Sequence, residues 1–351
     1  MSDVNKSALF SIHGQPMHPV TGKGVWNRAE IEKDDSWQYH LSKDTLDEIK
    51  SNLKQLKVDA SEVVLKDMTP ENFPLPSFVE QGKEIAKQIG SGRGIVKLSG
   101  LDVDNYTLAE AKVVYSGLCS YIGITVSQSH KGDYIGEVMD FRDENDPRRY
   151  HNGGEFIMHR DPTTDVVGLL AIRKSMEGGY SRLMSAGTVH NTLLAEHPEL
   201  METLYKGFYY KRTTPDRGDT DLYTPHRIPA FDFRPTGEFS SHYIPGFSEF
   251  YQERDNLPDD HIEVQAQNAI KEVLWNRPEL YLENLMEPGD MQFANNRICL
   301  HARTDYTDYP EIERARLLLR VWLQLPDLSV VPEHMEMFEN RDRANGGIAK
   351  Q

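Results

Sequence analysis

Seven consecutive residues without a polar side chain, at positions 166–172, limit the folds open to this chain. A run of that length, rich in Val, Leu and Ile, is typical of a strand that is buried on both faces. Short strands are also predicted at residues 134–141, 155–161 and 180–185, with the full apolar strand at 165–173. A strand that is covered on both sides needs further strands or helices packed against each of its faces.

Other elements are predicted along the whole chain. Apolar residues at helical spacing, with candidate N-caps, indicate helices at residues 42–57, 77–89, 107–122, 188–196, 198–205 and 258–275. Alternating or apolar runs predict strands at residues 94–100, 208–212, 228–233, 238–243, 289–293, 298–301 and 315–324. Short strands interrupted by long inserts favour a mixed α/β fold with a mainly β core. The predicted core is a distorted double-stranded β-helix, or jelly roll, with flanking helices and helical inserts.

No stretch has the composition of a linker, so we predict one domain over residues 1–351. Residues 1–93 would be an N-terminal extension whose helices pack on the core. Residues 94–324 would form the jelly-roll core, and the polar residues 325–351 would be a tail or a lid.

The charge and cysteine content narrow the class of protein. A formal net charge of -16 argues against nucleic acid or an anionic membrane as the main partner. No run approaches the roughly 20 apolar residues of a spanning helix, and the first residues lack the apolar region of a signal peptide. Cys119 and Cys299 are predicted to be reduced core cysteines. We therefore expect a cytoplasmic protein that acts on a small molecule, with homo-oligomer formation left open.

A histidine and an aspartate lie two residues apart in one of the predicted strands. In a strand, His159 and Asp161 would point to the same side, because side chains alternate with a period of 2. An imidazole and a carboxylate on one face make two-thirds of the 2-His-1-carboxylate triad that holds non-haem Fe(II). The alternative is a hydrogen-bonded histidine beside a loop aspartate.

The same pattern of His, any residue and an acid occurs four times in the chain. His197 precedes Glu199 at the junction of two predicted helices, where residues i and i+2 do not share a face. His261 precedes Glu263 at the start of a helix, where acids are expected because they complement the helix dipole. The last pair begins at His334, in the polar tail. Strand context therefore favours His159 and Asp161.

A third ligand would come from a distant strand facing the first. Residues 287–296 contain a Pro-Gly turn, a short predicted strand and an Asn295-Asn296 bend, after which a second strand ends at His301. A strand end in a barrel suits metal ligation, although a purely structural histidine fits the same position.

Two arginines share one face of the last predicted strand. Alternation along residues 315–323 places Arg316 and Arg320 together with Leu318 and Trp322. Buried guanidinium groups are costly unless each has an anionic partner, and their planar fork suits a carboxylate. Internal salt bridges would satisfy this need. A dicarboxylate co-substrate beside an iron would explain the arginines and the ligands together.

With these motifs, residues 94–324 resemble the taurine dioxygenase/clavaminate synthase-like branch of the Fe(II)- and 2-oxoglutarate-dependent oxygenases. The likeness rests on the His159 and Asp161 motif, the strand at 166–170, residues 178–181, the segment 288–296 that leads to His301, and the pair Arg316 and Arg320. The order and spacing of the set are more specific than any single motif.

The resemblance implies the roles of individual residues. His159, Asp161 and His301 would bind Fe(II). Arg316 would hold the distal carboxylate of 2-oxoglutarate with the hydroxyl of Ser181, where many relatives have threonine, and Arg320 would lie near the chelating carboxylate. The implied reaction consumes O2 and 2-oxoglutarate, releases succinate and CO2, and by default hydroxylates a substrate.

The substrate is less constrained by the sequence. Residues 140–154 and 205–229 are expected to line the pocket, and their basic and aromatic side chains favour a small polar or anionic substrate. These side chains are Arg142, Arg148, Arg149, Tyr209, Tyr210, Lys211, Arg212, Arg217 and Arg227. Solvated loops would show the same composition. Two other classes stay open: a cupin-type metal enzyme that is not an oxygenase, and a non-catalytic relative.

Overall fold

Two β-sheets facing each other form the centre of the computed structural model. The model describes residues 11–12, 15–142, 154–212, 220–234, 237–248, 251–328, 331, 335–338 and 346–348. The predicted mixed α/β class, with a double-sheet core and helices outside it, is confirmed.

Helices occupy the N-terminal part and the long inserts between strands. The α-helices in the described part of the chain are α1 (Arg28–Ile31), α2 (Lys43–Lys54), α3 (Val79–Ser91), α4 (Leu108–Cys119), α5 (Ala186–Glu196), α6 (Met201–Lys206), α7 (Pro245–Ser248), α8 (Tyr251–Asp255) and α9 (Ile262–Asn276).

The strands of the described chain, in order, are β1 (Ser11–Ile12), β2 (Gln15–Pro16), β3 (Gln38–His40), β4 (Ile95–Ser99), β5 (Ile124–Val126), β6 (Ile135–Val138), β7 (Phe156–His159), β8 (Val166–Arg173), β9 (Glu177–Gly178), β10 (Ser181–Ser185), β11 (Phe231–Phe233), β12 (Phe239–Ser241), β13 (Tyr281–Asn284), β14 (Met291–Asn295), β15 (Cys299–Arg303), β16 (Tyr306–Thr307) and β17 (Leu317–Gln324).

The larger sheet has the order β3-β4-β14-β8-β17-β5, with β6 also paired to β17. The apolar strand β8 lies between β14 and β17 and is antiparallel to both, which explains why it carries no polar residue before Arg173, its last position. Val166 and Leu170 pack on the side covered by α3 and α4, whereas Val167 and Leu169 face the smaller sheet.

The smaller sheet has the order β13-β10-β15-β7 and is antiparallel throughout. Its outer side is covered by α5, α6 and α9, which bury a cluster of aliphatic and aromatic side chains. Its inner side faces β8 and β17, so the space between the sheets collects side chains from both of them.

The two ends of the chain pack on this core. Trp26 and Ile31 from the N-terminal part are 1% exposed and join the cluster beneath α5 and α9. In the C-terminal part, Met337, Phe338 and Ile348 are buried in the same cluster. These three residues of the predicted tail therefore belong to the core.

Some predicted elements differ from the structure. The strand predicted at 155–161 ends at His159, so Asp161 follows the strand. Residues 208–212 form isolated bridges from Phe208 and Lys211 in place of a strand, and the helix predicted from 258 begins at Ile262. The short strands β3, β5 and β13 were not predicted.

Two further findings concern the class of protein. None of the helices in the described ranges is long and apolar enough to cross a membrane. Cys119 and Cys299 are both buried and free, and burial raises the pKa of the Cys299 thiol to about 12. These are the properties of reduced core cysteines.

Candidate metal centre

Two histidines face each other across neighbouring strands of the smaller sheet. His159 ends β7 and His301 lies in β15, and the two are direct partners in the antiparallel register. Their ring centroids are 4.3 Å apart, and both residues are less than 10% exposed. The register brings together residues that are 142 positions apart in the chain (301 minus 159).

Asp161 completes the group from the turn that follows β7. Its backbone N–H donates to Oδ1 of Asn296 (3.3 Å), and the Asn296 side-chain amide donates to the Thr164 carbonyl (3.4 Å). These bonds hold the turn against the bend after β14. One ligand atom each from His159, Asp161 and His301 then lies within 4.8 Å of the others, and all three residues are buried.

The hydrogen bonds of His159 leave one nitrogen directed toward this group. Its Nδ1 lies 2.7 Å from the Ile157 carbonyl oxygen, which can only accept, so the proton is on Nδ1. Its Nε2 is buried without a hydrogen-bond partner in the described part of the chain and lies 3.8 Å from Oδ1 of Asp161. A buried, unsatisfied imidazole nitrogen beside a carboxylate fits a metal ion.

The Asp161 carboxylate is held from the larger sheet. The indole Nε1 of Trp322 donates to Oδ2 (2.7 Å), and Nη1 of Arg320 lies 3.4 Å from the same oxygen. Arg320 is fixed in turn by Gln128, whose Oε1 accepts from its Nε (2.8 Å). Because both donors engage Oδ2, Oδ1 is the oxygen directed toward the histidines.

Burial and nearby charges keep the two histidines neutral and the aspartate ionised, which are the protonation states that bind metal. Burial, with the nearby His159 ring second, lowers the pKa of His301 to about 3. Burial also lowers the pKa of His159. Burial alone would raise the pKa of Asp161, but Arg320 and the Trp322 hydrogen bond contribute to a net pKa below its usual value. At neutral pH the group is two neutral imidazoles and one carboxylate, which is the donor set of a non-haem Fe(II) site.

A buried cation without a counter-ion among the described residues lies at the other end of the same space. Arg316 is 6% exposed, its Nη1 has no hydrogen-bond partner within the described ranges, and no carboxylate there pairs with its guanidinium. Asp308 is close, but its carboxylate accepts from the Arg316 backbone N–H (2.9 Å). Burial, with Arg303 as the second cause, lowers the pKa of Arg316 to about 10. An anionic ligand would satisfy this group.

One cavity connects the metal-ligand candidates with Arg316. It encloses about 540 Å³ of non-atom space, part of which is open to solvent. The metal-ligand candidates line it together with Ser181, Arg316 and Arg320, all three of which sequence analysis associated with a co-substrate. Its apolar wall consists of Val138, Phe156, Val167, Leu169, Met286 and Leu318.

The competing histidine-acid pairs have structural explanations. The His261 side chain accepts from the Glu263 backbone N–H and caps α9. His197 and Glu199 form a surface pair, 3.7 Å apart. His334 lies outside the described residues.

The described basic and aromatic side chains of the loops at 140–154 and 205–229, which were expected to line the substrate pocket, make internal contacts instead. Tyr210 and Arg212 are buried, and Arg212 donates to the backbone carbonyls of Asp221 and Tyr223. Arg227 pairs with Glu263, and Arg142 donates to the Tyr309 and Pro310 carbonyls. None of the described side chains in this set lines the cavity. Arg148, Arg149 and Arg217 lie outside the described residues.

Arg303, which was not among the predicted site residues, lines the cavity with Ser181 and Arg316. It follows His301 by two positions in the same strand, so the period of 2 that linked Arg316 with Arg320 could have identified it. The contact between Trp322 and Asp161 was not predicted either, because it depends on how the two sheets pack and has no local signal.

Comparison with known proteins places these features in context. The model of the family described as taurine catabolism dioxygenase TauD, TfdA family matches residues 61–322. FR-33289 synthase from Streptomyces rubellomurinus is 27% identical over 315 residues, covering 88% of this chain and 91% of that protein. The taurine hydroxylase-like protein SAT17 from Stachybotrys chartarum is 24% identical over 277 residues, covering 74% of this chain and 68% of that protein.

A solved structure shows the same fold. Asparagine oxygenase in complex with Fe(II), (2S,3S)-3-hydroxyasparagine and succinate superposes with a TM-score of 0.64. The alignment covers 82% of this chain and 94% of the other at 12% sequence identity. The likeness therefore concerns the arrangement of sheets and helices.

Proposed function

The chain belongs to the taurine catabolism dioxygenase TauD, TfdA family of Fe(II)- and 2-oxoglutarate-dependent oxygenases, and we propose that His159, Asp161 and His301 hold its iron. This proposal is carried by two features of one cavity: a buried triad with an imidazole nitrogen that has no partner in the described part of the chain, and a buried arginine that has no counter-ion there. A cupin-type enzyme that is not an oxygenase would need the first feature only.

When bound, the metal supplies open coordination positions and the redox chemistry of the reaction. The reaction balances as substrate, O2 and 2-oxoglutarate giving oxidised substrate, succinate and CO2, with one oxygen atom of O2 in succinate and the other in a hydroxylated product. The chain's own residues bind, orient and shield the reactants.

The residues around the ligands fix their orientation. The Ile157 carbonyl keeps the proton on Nδ1 of His159 and leaves Nε2 for the metal. Trp322 and Arg320 occupy Oδ2 of Asp161, so that Oδ1 is the oxygen that would bind the metal. The apolar wall around Phe156 and Leu318 excludes water from the reacting groups.

At the other end of the cavity, Arg316 binds the distal carboxylate of 2-oxoglutarate, with the Ser181 hydroxyl as a second donor. Arg320, which contacts Gln128 and Asp161, would lie near the chelating carboxylate. This assignment is supported by the buried, unsatisfied Nη1 of Arg316.

The protein acts as one domain over residues 1–351, with an extension at 1–93, the core at 94–324 and a tail at 325–351. Support comes from the described tail residues, such as Phe338 and Ile348, which are buried in the core. The free, buried cysteines support a cytoplasmic location.

The substrate is a small polar or anionic organic molecule, and hydroxylation is its expected fate. Among the described residues that line the cavity, Arg303, Arg316 and Arg320 carry positive charge and Asp161 carries a carboxylate. With Fe(II) and 2-oxoglutarate bound, the formal positive charge of the site would still exceed its negative charge, which favours a substrate with an acidic group. The names of two similar proteins, which refer to taurine hydroxylase-like activity and 3-hydroxyasparagine, fit small polar molecules.

The first experiment is an anaerobic titration of the protein with Fe(II) and 2-oxoglutarate. The complex should give a weak visible metal-to-ligand charge-transfer band. His159→Ala and Asp161→Ala should abolish it, and Arg316→Ala should mainly weaken the affinity for 2-oxoglutarate. His261→Ala is the matched control, because this histidine caps a helix and should leave the band unchanged.

Absence of the band in the wild-type protein would refute the assignment of the metal centre. An Arg316→Ala variant with unchanged affinity for 2-oxoglutarate would refute the carboxylate assignment alone.

The substrate class is tested by a succinate-release screen. The panel pairs amino acids, sulfonates and phosphonates with their uncharged amide or ester analogues, and products are identified by the mass added. Acids should stimulate succinate release and yield a product with one added oxygen atom. Equal stimulation by the uncharged analogues would contradict an anionic substrate.

A further inference from the structure

Arg303 lies in the cavity directly across the sheet from Ser181. In the antiparallel pair of β10 and β15, Ser181 and Arg303 are register partners. Side chains of such partners leave the same face of the sheet within about 5 Å of each other. Both residues line the cavity, and Arg303 is 7% exposed. A second guanidinium is therefore located beside the hydroxyl that we assign to the distal carboxylate of 2-oxoglutarate.

An aromatic ring connects this residue with Arg316. The Cζ of Arg303 lies 4.7 Å from the centroid of the Tyr306 ring, and the Cζ of Arg316 lies 5.3 Å from the same centroid. The face of an aromatic ring attracts cations. Tyr306 therefore holds two like-charged groups near each other at this end of the cavity.

The charges around Arg303 and Arg316 favour the binding of an anion near them. Arg303 and Arg316 are both buried and contact the same ring, so two like charges are held close together and repel each other. Asp140, Asp305 and Asp308 lie close enough to reduce this repulsion. In the described residues, however, the Nη1 of Arg316 has no acceptor at all. A carboxylate placed between the two guanidinium groups would relieve the repulsion and supply that acceptor.

We propose that Arg303 is a second guanidinium donor to the distal carboxylate of 2-oxoglutarate, and that Tyr306 positions Arg303 and Arg316 around it. This inference rests on the proposed function, since it concerns the co-substrate of the same site. It makes the far end of the cavity a three-residue clamp of Ser181, Arg303 and Arg316, selective for a ligand that has a second acid group.

A purely structural role for Arg303 must be separated from this one. Its Nη2 donates to the Gly154 carbonyl (2.6 Å), just before the strand that carries His159. Loss of that bond would disturb the metal centre, and with it the binding of any 2-oxo acid. A direct contact with the distal carboxylate would instead affect only ligands that have one.

The experiment therefore compares two ligands on Mn(II)-loaded protein, by calorimetry without turnover. 2-Oxoglutarate has the distal carboxylate, whereas 2-oxobutyrate chelates the metal without one. Arg303→Met should weaken the binding of 2-oxoglutarate by about tenfold to a hundredfold, the range for a hydrogen bond to a charged group. It should leave the binding of 2-oxobutyrate and of Mn(II) alone unchanged. Arg303→Lys, which keeps the charge and is less disruptive to folding, should show a smaller loss with the same selectivity.

Tyr306 provides an independent measurement. Its hydroxyl has no partner among the described residues, so Tyr306→Phe should retain the affinity for 2-oxoglutarate. Tyr306→Leu removes the ring that both guanidinium groups contact and should reduce that affinity while sparing 2-oxobutyrate.

The outcomes distinguish the possibilities. Equal losses for both acids, or no loss for either, would overturn the proposal for Arg303. If Arg316→Met weakens 2-oxoglutarate binding but Arg303→Met does not, the proposed function stands and this inference fails. A wild-type protein that does not bind 2-oxoglutarate would refute the proposed function, and the inference with it.

Discussion

The hydrogen bond from Trp322 to Asp161 offers the most direct link between the packing of the two sheets and metal affinity. Trp322 lies in β17 of the larger sheet, is 2% exposed and donates its indole N–H to Oδ2 at 2.7 Å. Trp322→Phe removes this donor and keeps an aromatic ring in the same place. The Asp161 carboxylate is then held by Arg320, at 3.4 Å, and can rotate.

The expected magnitude follows from the geometry. A hydrogen bond to a charged group contributes about 1.5–3 kcal/mol. At about 1.4 kcal/mol for each factor of ten, its loss should weaken metal binding by about tenfold to a hundredfold. Residues that orient metal ligands from outside have effects of this size in other metal centres.

Metal affinity is measured by titrating Mn(II) or Fe(II) anaerobically in competition with a chelator. Trp37→Phe is the matched control. Trp37 is 5% exposed, and its indole N–H has no hydrogen-bond partner in the described part of the chain. It is adjacent to β3 at the far edge of the larger sheet. Both substitutions remove the same atoms and lower stability, but only Trp322→Phe should lower metal affinity.

Two results would refute the reasoning. If Trp322→Phe binds metal as tightly as the wild type, the indole does not hold the ligand in place. If both tryptophan variants lose affinity equally, the loss comes from core packing and the hydrogen bond is irrelevant.

Three further predictions concern stability. Burial lowers the pKa of His190 to about 4, so between pH 6.5 and 4 the unfolded chain takes up a proton that the folded one does not. As the pH falls through this window, the free energy of unfolding of the wild type should decrease by on the order of 3 kcal/mol more than that of His190→Gln. Urea unfolding at several pH values measures both, and an equal decrease in the two proteins would contradict the prediction. Gly168→Ala should lower the free energy of unfolding by about 1–3 kcal/mol, because the new Cβ would lie 2.7 Å from two neighbouring side chains. Gly246→Ala is the control: its Cβ would have no atom within 4 Å, so the melting temperature should be nearly unchanged. Asp165→Ala should lower the free energy of unfolding by about 3–5 kcal/mol, because it removes the main partner of the buried Arg297 (2.5 Å). Adding Arg297→Met should restore most of this loss. A loss below about 1 kcal/mol, typical of an exposed ion pair, would contradict the importance of the buried pair.

Local periodicity was a reliable guide to which side chains share a face. Alternation along β17 predicted that Leu318 and Arg320 point one way and Leu319 and Val321 the other. In the structure the first pair lines the cavity and the second packs with the helices. This succeeds because alternation is a property of the extended backbone itself.

Asp161 lies beside His159, as predicted, but strand alternation is not the cause. The strand ends at His159, so alternation within a strand does not place the carboxylate. The turn beyond it is held by Asn296, which comes from a distant part of the chain. No local pattern encodes this contact. That the three ligand candidates bind iron remains a prediction.

Short edge strands and the tail were the least predictable parts. β3, β5 and β13 are three or four residues long and carry little alternation. The tail is polar in composition, yet Met337, Phe338 and Ile348 are buried. A few apolar residues gain burial only if the rest of the fold provides a surface, and that surface is not visible in the sequence.

The sequence by itself determined the mixed α/β class, the strand that must be buried on both faces, and the residue types capable of holding iron and a diacid. Only the tertiary structure decided which of them meet. His159 lies opposite His301, Arg303 lies opposite Ser181, and Trp322 reaches Asp161 from the other sheet. These contacts depend on strand register and on the packing of two sheets, which are set by interactions across more than a hundred residues of chain.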